Sequence, residues 1–237
     1  MCTVVIRVPA SEGDPVRFLA VRDEDPARAW DPLGAHWPER PGVVGVRDRL
    51  AGGAWLAARP DAGRLAVIVN REGAPAIPEE RITSRGAIAL DAVDGHPPTG
   101  SPTTRGFHLV KVIGSTAHLT TWDGHALVRR DIEPGTHMIA HDDIDDPRTA
   151  RIAAWRDAFA DVATEGAAWW RGWLEVLADS ARVDPRDDRA IIRDNRPHGY
   201  PTQSLLACVA SIRPGAVDVR GAALDAPGTW NPLAFEA

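Results

Sequence analysis

Residues 1–24 read MCTVVIRVPASEGDPVRFLAVRDE. Two runs rich in apolar and β-branched residues, CTVVIRV over 2–8 and RFLAVRD over 17–23, flank the turn-forming cluster PASEGDP. That pattern predicts a β-hairpin. If Val8 faces Arg17 across the turn, counting back along both strands carries Cys2 opposite Asp23. With Met1 removed, Cys2 holds a thiol and a free α-amine on one residue. Those groups titrate near ~8.5 and ~8, so the amine is able to serve as base for its own side-chain nucleophile. A carboxylate on the adjacent strand holds the amine and biases its protonation. The plainer reading makes Cys2 the frayed start of a strand.

Further along, VVGVRD (43–48) reads as a short strand, and 51–71 as a hairpin turning at PDAG. Residues 26–42, rich in Pro, Trp and Gly, read as an ordered loop. TSRGAIALDAVDG (83–95) opens with Thr and Ser and predicts a helix. The segments 107–114 and 117–132 are strands, with a tight turn at Asp123-Gly124. Residues 134–143 predict another strand, 147–181 two helices, and 203–213 with 216–221 a last strand pair. Many antiparallel hairpins with about three helices predict an α+β fold. No hydrophilic linker is long enough to split the chain, so 1–237 reads as one domain.

The 237 residues carry 27 Lys+Arg and 33 Asp+Glu, a formal net charge of −6. The charges are scattered, which argues against nucleic acid as a partner. No apolar run approaches the ~20 residues of a membrane span, and no secretion signal opens the chain. Cys2 and Cys208 are the only cysteines, so no disulfide framework or CxxC pair exists, and a cytoplasmic location is expected. Eight histidines show no HExxH or close ligand spacing, so no metal site is expected. Cys208, mid-strand in LLACVAS, reads as a buried small hydrophobe. WWRGW (169–173) reads first as core packing or a dimer contact.

The opening Met-Cys, VRDE at 21–24, GVRDRLAGGAWLA with Asp48, Gly52, Gly53 and Trp55, LAVIVN ending at Asn70, and Ser84-Arg85-Gly86 occur in a specific order. With GFHLVKV and EPGTHMIAH downstream, the chain resembles the NRDE family, also called the transport and Golgi organisation 2 family. That family resembles N-terminal-nucleophile hydrolases, which implies an αββα sandwich of two stacked, mainly antiparallel sheets. The resemblance implies Cys2 as nucleophile, Asp23 as the holder of its amine and Asn70 in the oxyanion hole. Arg22, Glu24, Trp55, Arg85, His141 and Gln203 are candidate substrate-binding or supporting residues. Strand alternation puts Arg22 and Glu24 on the face opposite Asp23.

Three positions depart from the family pattern. Val21 stands for Asn, Ala140-His141 for Ser-Asn, and Gln203 for Arg in YPTQ. The implied activity is hydrolysis or acyl transfer at an amide or thioester of a small molecule, with no cofactor. The alternative is a binding protein for haem or an acyl-CoA-like lipid. His137, Met138 and His141 are the residues that would form a haem edge.

Overall fold

The computed structural model describes residues 2–235. Strands β1 (Thr3–Val8), β2 (Val16–Glu24), β10 (Gly135–Ile139), β11 (Gln203–Arg213) and β12 (Ala216–Ala223) form a five-stranded antiparallel sheet in the order β10-β1-β2-β11-β12. The second, seven-stranded sheet runs in sequence order: β3 (Trp30–Gly34), β4 (Val44–Asp48), β5 (Ala54–Arg59), β6 (Arg64–Asn70), β7 (Phe107–Ile113), β8 (Thr116–Trp122) and β9 (Leu127–Asp131). Among the described residues there are three α-helices: α1 (Ile88–Val93), α2 (Ala150–Asp161) and α3 (Arg171–Ser180).

Strand alternation sorts the side chains into layers. Val4, Ile6, Phe18 and Cys208 of one sheet meet Leu56, Val67 and Val110 of the other in the central core. On the same strands, Val5, Leu19, Val21 and Val209 point the other way, against Phe159, Trp173 and Leu177 of α2 and α3. Helix α1 covers the far face of the seven-stranded sheet through Ala89, Leu90 and Val93. Both faces of the central strands are therefore covered, and β2 is buried from Val16 to Asp23 although Arg17, Arg22 and Asp23 are charged. The result is the αββα order that the resemblance implied. The tryptophans of 169–173 belong to this packing: Trp169 and Trp173 are buried and meet edge to face. No described helix is long and apolar enough to cross a membrane.

Three local expectations need correction. The first hairpin pairs Thr3 with Val21 and Arg7 with Arg17, one residue away from the predicted count. Continued to the strand head, that register sets Cys2 across from Arg22. The predicted loop at 26–42 contains β3, an edge strand whose ladder breaks between Asp31 and Gly34, where Pro32 supplies no donor. The predicted helix at 83–95 shrinks to α1. Thr83 N–H bonds Thr103, and the Gly86 carbonyl accepts from Ala54, so these residues spend their hydrogen bonds elsewhere.

Beyond β10, Asp145 adopts a left-handed conformation, with φ 58. Its carboxylate accepts from Met138 N–H at 2.8 Å and from His137 Nδ1 at 2.6 Å. The bond to Asp145 raises the His137 pKa, so the imidazolium contributes most stability below about pH 6.5. That contribution fades as pH rises through the raised folded value. The urea midpoint of Asp145→Asn, whose residue tolerates the same backbone, should therefore fall below wild type at pH 5.5 and approach it at pH 9. Parallel pH curves for the two proteins would refute this linkage.

Candidate active site

Cys2 lies at the head of β1 and is 4% exposed. Its thiol points into the inter-sheet layer beneath a cleft of about 440 Å³ and donates weakly to the Asp23 carbonyl at 3.7 Å. Burial pushes the thiol pKa up, with the nearby Asp23 charge adding to that and Arg22 opposing it. The second cysteine, Cys208, is wholly enclosed and pushed up to about 12 by burial, so it is inert. Removal of Met1 lies outside the described residues.

Asp23 is on the other face of β2, as its neighbour Val21 is. Its carboxylate accepts from Ser204 Oγ at 2.6 Å and from Asn195 Nδ2 at 3.5 Å. Ser204 sits opposite Asp23 in the β2–β11 ladder, at a register shift, and accepts from the Arg193 N–H at 2.8 Å. Arg193 is itself buried, and its Nε donates to Asn195 Oδ1 at 2.8 Å. Asp23 is thus braced by a polar node that none of the family motifs marks. Asn195 lies in RDNRPHG, a stretch without periodicity, and Ser204 follows Gln203 just before the apolar run LLACVA.

Arg151, in the first turn of α2, is buried beside this node, which lowers its pKa to about 10 while Asp23 and Cys2 pull the other way. Its Nη2 donates to His141 Nδ1 at 3.3 Å. His141 is held neutral by its own burial and by Arg151. This places His141 behind Asp23 rather than in the cleft. Gln203 is also outside it, donating to the Pro227 carbonyl at 3.3 Å.

The other predicted residues come together. Arg22, Glu24, Trp55, Asn70 and Arg85 line the cleft with Cys2 and Asp23. Asn70 ends β6 with its side chain exposed. Arg85 is brought in by two glycines. A Cβ on Gly53 would lie 2.2 Å from the Gly86 carbonyl oxygen, so the 84–86 segment rests on bare backbone at the start of β5. The Arg85 guanidinium then reaches across to donate to the Gly106 carbonyl at 2.8 Å.

The predicted haem edge does not fit that ligand. His137 Nε2 donates to the Glu133 carbonyl at 2.9 Å and Nδ1 is taken by Asp145. Met138 is fully buried toward the helices. His141 is engaged by Arg151 and Asp142.

A family model described as transport and Golgi organisation 2 matches residues 1–151, a span that includes all residues lining the cleft. A search of curated proteins finds no match. Among solved structures, the chain is similar to a Caenorhabditis elegans N-acylethanolamine-hydrolyzing acid amidase ortholog, at 11% identity over 88% of this chain and 92% of that one, with a TM-score of 0.47. It is also similar to a mutant conjugated bile acid hydrolase from Clostridium perfringens, at 7% identity over 100% of this chain and 97% of that one, with a TM-score of 0.42.

Two substitutions probe this construction. Ser204→Ala strips partners from the Asp23 carboxylate and the buried Arg193 N–H, and should cost about 1–3 kcal/mol in urea unfolding. Gly53→Ala forces two backbone segments apart and should cost about 1–3 kcal/mol. Stability unchanged in either variant would contradict the corresponding contact.

Proposed function

The chain belongs to the transport and Golgi organisation 2 family, and from that premise we propose that it is an N-terminal cysteine hydrolase or acyltransferase that cleaves an amide or thioester bond. The observation that carries this reading is the Cys2 thiol, buried at the head of β1 yet opening onto a polar cleft. A thiol whose pKa burial has raised is a poor nucleophile until a base takes its proton. Once Met1 is removed, the α-amine of Cys2 supplies that base without a histidine.

In this mechanism the thiol proton passes to the amine as Sγ bonds the substrate's carbonyl carbon. Asp23, fixed by Ser204 and Asn195, holds the amine in place. The resulting oxyanion is stabilised by Asn70 and by backbone N–H groups. The amine then returns the proton to the leaving nitrogen or sulfur as its bond to carbon breaks. An acyl-enzyme remains. Water, or an acceptor amine, attacks the acyl carbon and releases Sγ.

The test is intact mass followed by acylation. The mass of the purified protein reports Met1. Incubation with a series of acyl p-nitrophenyl esters and acyl thioesters reports an acyl-enzyme as a mass gain. The expected result is a protein lacking Met1, an adduct mapped to Cys2, and turnover lowered at least about a thousandfold in Cys2→Ala. Retained Met1, or equal turnover by Cys2→Ala, would overturn the proposal.

A further inference from the structure

The cleft is lined by four arginines and four carboxylates, and their pairing is uneven. Arg28 is bonded to Asp48 at 2.6 Å, and Arg105 to Glu79. Arg22 Nη2 lies 3.6 Å from Glu24. The fourth carboxylate, Asp23, is turned to Ser204 and Asn195 on the other face of β2. Arg85 alone of these cations has no carboxylate among the described residues. Its one hydrogen bond, to the Gly106 carbonyl, uses a single N–H of the guanidinium. The other guanidinium donors have no hydrogen bond among the described residues, and the side chain lines the cleft.

Two more donors in the cleft walls are unsatisfied. Arg22 Nη1 and Trp55 Nε1 are buried and have no partner among the described residues, although their side chains are 2% and 8% exposed. Buried donors left without acceptors oppose folding. A site that keeps two of them beside an unpaired guanidinium is built to receive acceptor atoms. Guanidinium donors match the two oxygens of a carboxylate side by side. The Gly53–Gly86 contact fixes the segment carrying Arg85, so the site is formed before the ligand arrives.

We infer that this cleft recognises a carboxylate on the substrate, seated on Arg85 with the unpaired donors of Arg22 and Trp55 alongside. The substrate class is then an amide or thioester that carries a carboxylate near the bond attacked. This rests on Cys2 being the nucleophile of the same cleft.

The test uses a pair of alkylators that differ in charge. Iodoacetate carries a carboxylate and iodoacetamide does not, and peptide mapping reads Cys2 separately from enclosed Cys208. The iodoacetate-to-iodoacetamide rate ratio at Cys2 should exceed that of an unstructured cysteine peptide by about tenfold. It should fall to the peptide value in Arg85→Gln, recover in part in Arg85→Lys, and rise in Glu24→Gln. An unelevated ratio, or equal slowing of both reagents by Arg85→Gln, would assign Arg85 to the thiolate instead and overturn the inference. If Arg85→Gln does not fold, the lysine and Glu24 variants decide.

A second arm does not depend on Cys2. Glutarate should raise the melting temperature of wild type but not of Arg85→Gln or Arg85→Lys to the same degree. Stabilisation by inorganic phosphate without glutarate would replace the carboxylate with a phosphoryl group and refute the class named here. Failure of both alkylators to label Cys2 would remove the nucleophile reading, while the glutarate arm still judges the anion site.

Discussion

The 2.6 Å hydrogen bond from Ser204 to Asp23 is the contact on which the candidate site depends. It ties the C-terminal strand pair to the first hairpin at the end of β2, where the ladder shifts register. An acid at the end of a buried strand is costly unless it is hydrogen-bonded, and this short bond supplies one of its partners. Ser204, Asn195, Arg193 and Arg151 together make a polar island inside an apolar layer. The island is tolerable because most of its members are satisfied by one another. The site is thus assembled from both ends of the sequence, with the proposed nucleophile near residue 1 and Asp23 braced by residues near 200.

The layers explain how a thiol and a carboxylate on adjacent strands come to serve different surroundings. Alternation sends Cys2 and Arg22 toward the seven-stranded sheet and Asp23 toward α2 and α3. The cleft therefore receives the sulfur and the cations, while the Asp23 carboxylate, at the edge of the same cleft, turns to Ser204 and Asn195. A carboxylate placed beside the thiol instead would add to the burial that already holds it protonated. Asp23, close enough to raise the thiol pKa further, has its carboxylate engaged by Ser204 and Asn195.

Much of this was readable from residues alone, because paired strands write their pattern locally. The opening hairpin, the strands around PDAG and Asp123-Gly124, both long helices and the cleft residues Cys2, Trp55, Asn70 and Arg85 follow from period, turn chemistry and family motifs. The register of the first hairpin did not, since the loop between Val8 and Val16 has no two-residue turn to fix it. The start of the helix at 83–95 was misread because Thr83 and Gly86 bond to distant backbone. His141 and Gln203 were drawn toward the cleft by analogy of position, whereas Arg151 and Pro227 engage them elsewhere. Asn195 and Ser204 carried no signal because only tertiary burial makes an ordinary polar residue indispensable.

The backbone contact between Gly53 and Gly86 has a bearing on how this protein diversifies. One wall of the cleft is set by main chain against main chain, with no side chain whose trimming would enlarge it. A side chain at Gly53 forces the two segments apart and so costs stability before it reshapes the cleft. Elsewhere in the cleft lining, Glu79 and Arg105 form an exposed pair that carries no such constraint. Mutational libraries therefore have more room at that pair than at Gly53, where main chain rests on main chain.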